Sequence, residues 1–262
     1  MKMIATDLDG TLLRSDKTIS NYTRQTLAKC REAGIKIVYA TGRGGTAQRL
    51  VPSEIVDGRI TVNGAVGYAG EKRVYNCLVP WQVAQPILVA CHKQGMDITS
   101  EFGGLHYSNF SVSTRWPSIA SVDNIVDFAT HEIDAEKIYV PNPTEEDRVF
   151  IASILPPDLY YVETADGVNA TLLQIMHKDA TKMKAIVALA ASWGIAMHEV
   201  VAFGDDYNDM DMLQGCGKGV AMANAVEDIK KIATESCDSN DNDGVAKWLE
   251  ENILRQMSIN HI

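Results

Sequence analysis

Asp7-Leu8-Asp9-Gly10-Thr11 follows directly on the apolar stretch Met3-Ile4-Ala5. Read together, the two pieces are a buried strand running into a turn that carries two carboxylates two residues apart. Successive strand side chains point to opposite faces, so positions 7 and 9 face the same way, and Gly10 permits the turn. Like charges that close repel unless a cation or a shared proton relieves them. The stretch therefore predicts a strand end used for chemistry.

The same grammar recurs downstream. Ser20 reads as the N-cap of a helix through Ala33, with Leu27 and Cys30 on its apolar face and Gly34 as its stop. Ile35 to Ala40 is a second strand, ending at Thr41-Gly42-Arg43, and a short helix to about Leu50 leads into a third strand, Arg59 to Val62, ending at Asn63-Gly64. Strand, helix, strand, helix, strand with short connections predicts βαβ units and a parallel sheet. A hairpin across Ala65 to Asn76 follows.

From Trp81 the rhythm changes to a helix near Val83 to His92 and short β-like runs. A strand at Ile138-Tyr139-Val140, a helix from Glu145 to Ile154, and two strands joined by a Gly167-Val168-Asn169 turn come next. The parallel pattern resumes at Ala180. Met183, Ile186, Val187, Ala190 and Trp193 recur at helical spacing up to Gly194. Val200-Val201-Ala202-Phe203 is a wholly apolar strand running into Gly204-Asp205-Asp206-Tyr207-Asn208-Asp209, and a helix, a strand from Gly219 to Met222, and helices near Ala225–Ala233 and Gly244–Ile253 complete the pattern. The expectation is an α/β fold: a Rossmann-like, doubly wound parallel-sheet core formed by 1–80 and 180–262, with an α+β cap inserted at 81–179.

Charge narrows the partners. The chain carries 24 Lys and Arg against 34 Asp and Glu, a net −10 at pH 7. Between residues 81 and 178 the count is 5 bases against 13 acids, so most of the surplus belongs to the inserted module. Such a balance argues against nucleic acid and acidic membrane surfaces as partners. The longest apolar stretch, Ala185 to Met197, contains Ser192, Trp193 and Gly194, and is shorter than the roughly 20 residues of a membrane span. Five dispersed cysteines without a Cys-x-x-Cys pair, and an N-terminus without a leader pattern, give the expectation of a cytoplasmic protein with reduced thiols.

Four strand ends carry polar residues: Asp7/Asp9, Thr41/Gly42, Asn63, and Asp205/Asn208/Asp209. In an open parallel sheet these carboxyl ends share one edge, where ligands bind. Three carboxylates there, Asp7, Asp9 and Asp205, call for a hard cation with oxygen ligands, and Mg2+ fits that description and binds substrate phosphate. No His or Cys lies in these loops, which argues against zinc. One aspartate of the pair is then available as nucleophile and the other as general acid and base. Thr41 and the Gly42 amide are neutral donors for a phosphate. Lys182, in a helix's first turn, is badly placed for the helix dipole and well placed to neutralise a phosphoryl group.

Asp7-Leu8-Asp9-Gly10-Thr11-Leu12-Leu13 resembles the first motif of the haloacid dehalogenase superfamily. Thr41-Gly42-Arg43 resembles its second motif, Lys182 its third, and Gly204 to Asp209 its fourth. Val220 to Ala225 and Ser239 to Val245 are similar to the tail of its Cof-type phosphatases, which carry a type IIB cap. Thr41 stands where Ser is common, and the third motif offers Lys178 and Lys184 beside Lys182. Lys182 is the choice because the apolar helix begins right after it.

The resemblance implies phosphomonoester hydrolysis through a phospho-aspartate on Asp7, with Asp9 as acid and base. It implies Mg2+ held by the Asp7 carboxylate, the Asp9 carbonyl and Asp205, and phosphoryl oxygens held by the Leu8 amide, Thr41, Gly42, Lys182 and Asn208. Asp209 supports Lys182 or the metal shell, Arg43 is a surface or outer charge, and Asn63-Gly64 is a turn before the hairpin. The cap is expected to close over the core edge on a small phosphate ester, with a sugar phosphate as the expected class. The rival readings are a sugar phosphomutase and a non-catalytic binding protein on the same scaffold.

Overall fold

Every residue of Met3–Thr6 (β1) is buried because strands flank it on both sides. The computed structural model describes residues 1–117, 119–120, 122–165 and 171–256. The turn expected at Gly167-Val168-Asn169 lies outside the described residues. After β1 come Lys36–Ala40 (β2), Gly58–Thr61 (β3), Val66–Ala69 (β4) and Lys72–Asn76 (β5). Six strands of a different sheet follow: Thr99–Phe102 (β6), Leu105–Ser108 (β7), Asn124–Ile125 (β8), Lys137–Pro141 (β9), Leu159–Ala165 (β10) and Thr171–His177 (β11). The chain then returns to the first sheet with Val200–Gly204 (β12), Lys218–Met222 (β13) and Glu235–Cys237 (β14).

The first sheet has the order β14-β13-β12-β1-β2-β3-β4-β5. It is parallel from β14 to β3, and the β4–β5 hairpin adds an antiparallel edge. This is a doubly wound α/β core. From β1 the chain moves one way to β2 and β3, and on its return it moves the other way through β12, β13 and β14. The order reverses between β1 and β12, and such a switch point opens a crevice at the strands' carboxyl ends.

Local chemistry sets the helix ends that matter here. Ser20 Oγ accepts the Thr23 N–H at 3.0 Å and starts the helix Asn21–Glu32, which buries Thr23, Thr26, Leu27 and Cys30. Thr181 Oγ1 accepts the Lys184 N–H, so the helix Lys182–Ser192 begins two residues later than Ala180, the expected start. That helix lays Ala185, Ile186, Leu189 and Ala190 into the core beside Ile4, Ile37, Val201 and Phe203. Burying one such aliphatic side chain contributes about 1.5–3 kcal/mol. The three-residue β14 has no apolar alternation and was not expected from the sequence. It forms because β13 presents an open parallel edge to it.

The chain divides into two compact units, Met1–Asn76 with Thr181–Ile262, and Cys77–Ala180. The second unit has its own sheet, ordered β10-β11-β9-β6-β7-β8, and its own apolar cluster around Ile98, Ile138, Val140, Leu173 and Ile175. Among the described residues no helix is long and apolar enough to cross a membrane.

Candidate active site

β1 and β12 end side by side, with Thr6 opposite Phe203, so Asp7 and, one residue on from Gly204, Asp205 leave the sheet together. The Asp7 N–H donates to the Phe203 carbonyl at 2.9 Å, which ties the two exits. Lys182 reaches them from the start of its helix. Its Nζ donates to Asp7 Oδ1 and to Asp209 Oδ1, both at 2.6 Å, and all three side chains are almost wholly buried. Burial works against the ammonium, but Asp209 and Asp7 outweigh it and hold Lys182 above the ordinary lysine value. Lys178 and Lys184 are exposed.

Asp7, Asp205 and Asp209 bring carboxylate oxygens within 4.8 Å of one another. Three carboxylates thus face one ammonium. Burial raises Asp7 to about 8 despite Lys182, with Asp209 and Asp205 adding to the rise. Burial likewise lifts Asp205 to about 6, although Thr11 Oγ1 donates to its Oδ1 at 2.6 Å. Gly10 sits against Asp205 with φ +79°, and a Cβ there would strike the Asp205 carboxylate. Only glycine meets both demands. Asp209 accepts three hydrogen bonds: its Oδ2 takes the Asp205 and Asp206 N–H groups at 2.9 and 3.1 Å while its Oδ1 holds Lys182. It is the fastener of the 204–209 loop.

Asp9 faces different partners. Arg43 Nε and Nη2 donate to its two oxygens at 2.5 and 2.7 Å, and Lys17 Nζ donates at 2.8 Å. Burial would raise this carboxyl, yet the hydrogen bonds and charges of Arg43 and Lys17 prevail and set it at about 2. The pair of carboxylates in the first motif is therefore split between two environments. Asp7 belongs to a buried acidic cluster, and Asp9 to a half-exposed ion pair. Arg43, expected as a surface or outer charge, is the main partner of Asp9.

Thr41 is buried, and its Oγ1 accepts the Arg43 N–H at 3.2 Å. Leu8 is also buried, and its carbonyl accepts the Thr11 and Leu13 N–H groups, which folds the first-motif turn under the site. Asn208 Nδ2 donates to Asn63 Oδ1 at 3.1 Å. The structure thus gathers Asp7, Lys182, Asp205 and Asp209 into one hydrogen-bonded group and links Asn208 to the third strand's exit. At that exit Val62, Asn63 and Gly64 have φ values of 54°, 54° and 102°. A valine in the left-handed region costs about 1–3 kcal/mol.

The tail motifs also reach the first-motif turn. Asn224 Nδ2 donates to the Gly10 carbonyl at 2.8 Å, Asn240 Nδ2 to the Leu13 carbonyl at 3.0 Å, and Arg14 pairs with Asp243 at 2.6 Å. Lys17 had no role in the sequence analysis, Arg43 was expected only as a surface or outer charge and Asn63 only as a polar strand end in a turn, and Thr11, Asn224 and Asn240 were motif members without an assigned contact.

In the second unit, Glu101, Lys137, Tyr139, His106 and Gln174 share one face of the sheet, as the register of β6, β7, β9 and β11 requires. All are buried. Tyr139 donates to Glu101, and Lys137 Nζ donates to Gln174 Oε1 at 2.7 Å. Burial lowers Lys137 to about 8 against the pull of Glu101 and Glu136. His106 is buried, and among the described residues its Nδ1 has no hydrogen-bond partner.

A family model of haloacid dehalogenase-like hydrolases matches residues 4–249. The 5-amino-6-(5-phospho-D-ribitylamino)uracil phosphatase YitU of Bacillus subtilis is 28% identical over 274 residues, which is 95% of this chain and 96% of that protein. The crystal structure of a haloacid dehalogenase-like hydrolase from Bacteroides thetaiotaomicron matches with a TM-score of 0.80 at 27% identity, covering 95% of this chain and 98% of that one. A structure of a subclass IIB sugar phosphatase of the superfamily matches with a TM-score of 0.76 at 26% identity, covering 96% and 98%. With the switch-point crevice and the loops that meet in it, these likenesses lead to one conclusion: the chain belongs to the haloacid dehalogenase-like hydrolases, an enzyme whose relatives along nearly its whole length are phosphatases.

Proposed function

We propose that this hydrolase is a Mg2+-dependent phosphatase acting on small organic phosphomonoesters of the sugar-phosphate kind through a phospho-Asp7 intermediate. The observation that carries the reading is the acidic cluster of Asp7, Asp205 and Asp209 set against the buried ammonium of Lys182. Oxygen-only donors with surplus negative charge fit a hard dication. The Asp7 and Asp205 carboxylates and the Asp9 carbonyl would hold it, since Asp209 is already committed to Lys182 and two amides. When bound, Mg2+ supplies the charge that offsets the carboxylates and polarises a phosphoryl oxygen.

The chain's own residues divide the rest. An Asp7 oxygen forms a bond to phosphorus as the ester P–O bond breaks, and Asp9 gives its proton to the leaving alkoxide. Water then attacks phosphorus, passes a proton to Asp9, and frees inorganic phosphate and Asp7. Lys182, Thr41, Gly42, Asn208 and the Leu8 amide hold the phosphoryl oxygens. Asp9 as it stands is an ion-paired carboxylate. To act as an acid it must exchange Arg43 and Lys17 for the incoming phosphoryl group, whose charge draws both cations, and take up a proton from solvent or from the phosphomonoester monoanion before it passes one to the leaving group.

We assign the second unit the role of a specificity cap. Its sheet has a polar face of acid, ammonium, phenol, amide and imidazole, the donor and acceptor types that recognise hydroxyl groups, although in this structure those groups are buried and Lys137 and Tyr139 bond to Gln174 and Glu101. A sugar phosphatase and a phosphoribitylamino-pyrimidine phosphatase among the similar proteins support the sugar-phosphate class. The test is phosphate release over a panel of phosphorylated metabolites with Mg2+. Free phosphate from sugar phosphates, well above that from nucleotides, is expected. A phosphorylated isomer without free phosphate would identify a phosphomutase and sink the proposal.

The acidic cluster also predicts how metal-free stability follows pH. Asp7 and Asp205 have folded values of about 8 and 6 against an ordinary 3.8. Between those limits the folded form binds protons that the unfolded form has released, so stability falls as pH rises from about 4 to about 8. Mg2+ replaces those protons. The rise in Tm on adding Mg2+ should therefore be larger at pH 8 than at pH 5.5, as measured by differential scanning fluorimetry. An equal or smaller rise at pH 8 would remove this cluster as the cation site.

A further inference from the structure

Val62-Asn63-Gly64 places three successive residues in the left-handed region, one of them a β-branched valine. Strain of this kind persists only where the surroundings over-determine it, and it concentrates at functional sites. The contacts of the turn show what the strain secures. Its Val62 and Asn63 N–H groups donate to the Arg43 and Thr41 carbonyls, both at 2.9 Å. A Cβ on Gly42 would lie 2.9 Å from Asn63 Oδ1, and a Cβ on Gly64 would strike the Thr181 carbonyl at the start of the Lys182 helix. Asn208 Nδ2 donates to Asn63 Oδ1 at 3.1 Å. One strained turn thus touches the second-motif loop, the lysine helix and the fourth-motif asparagine.

We propose that Asn63 is a positioning residue for phosphoryl binding, acting through Asn208; the inference rests on the phosphatase reading of the same site. A carboxamide presents either an acceptor or two donors, and a phosphoryl oxygen needs a donor. Asn63 Oδ1 takes one N–H of Asn208 and so selects the rotamer in which the second N–H serves the ligand. The left-handed backbone at residue 63 is what brings Oδ1 to that place, and asparagine tolerates it.

Asn63→Gly keeps the backbone accessible and removes the side chain that carries the acceptor. The experiment is calorimetric titration of tungstate, a phosphate mimic, into the full chain with saturating Mg2+. Asn63→Gly should weaken tungstate binding about ten-fold, the scale of one hydrogen bond to a charged group. Asn208→Ala should weaken it as much, and the double variant no further, because both remove one interaction. Tm should stay within about 2 °C of wild type, the scale of a fraction of a kcal/mol. Unchanged tungstate affinity in Asn63→Gly, or additive losses in the double variant, overturns this inference alone. Failure of the wild-type chain to bind tungstate overturns it together with the phosphatase reading.

Discussion

Asp7→Asn is expected to lower phosphate release by about 10,000-fold or more while the protein stays folded. Asparagine matches aspartate in shape, so the tie between the Asp7 N–H and the Phe203 carbonyl is kept. What it lacks is the anionic oxygen that attacks phosphorus. The neutral amide also relieves the crowding of carboxylates around Lys182, which still has Asp209 at 2.6 Å. Metal-free Tm at pH 8 should therefore not fall, and should rise, because the amide removes the cost of burying a charged carboxylate, the main cause of the upward shift of Asp7, along with the repulsion from Asp209 and Asp205. Steady-state phosphate release and a melting curve on the same sample check both halves. Undiminished release would place the nucleophile elsewhere, and a collapsed Tm would mean that Asp7 is structural first.

Lys182→Met should be the most destabilising single change at the site. The methionine fills the volume of the lysine stem but leaves Asp7 and Asp209 buried and facing each other without a cation. Breaking a buried pair by removing one partner costs about 3–5 kcal/mol, or on the order of 10 °C in Tm for a protein of this size. Mg2+ should restore part of the loss, because a dication compensates the same carboxylates. Turnover should drop by about 100- to 1000-fold, the scale of removing one preorganised charge from a phosphoryl group. Lys184→Met is the control, since Lys184 is exposed on the same helix. Equal effects of the two substitutions on Tm and turnover would show that the burial of Lys182 has no special consequence.

The two carboxylates of the opening motif illustrate how far sequence reasoning reaches. That Asp7 and Asp9 sit at a strand exit follows from the apolar run before them and the glycine after them, both local signals. That they occupy separate electrostatic environments does not. Asp7 is raised by burial beside Asp205 and Asp209, while Asp9 is lowered by Arg43 and Lys17. The acidic neighbours of Asp7 come from an adjacent strand nearly 200 residues away in the chain, and no local pattern encodes their distance. The same holds for Asn63 and Asn208, which are 145 residues apart, and for Asn224 and Gly10, which are 214 apart.

By itself the sequence determined the alternation of strands and helices, the parallel core, the strand ends that carry polar groups and the family resemblance, because each rests on periodicity, turn chemistry or short motifs within a few residues. The tertiary structure alone decided that Asp209 is a fastener already spent on Lys182 and two amides, that Arg43 holds Asp9, and that a strained turn carries Asn63 to Asn208. The physical reason is the switch point between β1 and β12: it sets side by side two strand exits that the chain keeps far apart, and charge and hydrogen bonding depend on distances in space.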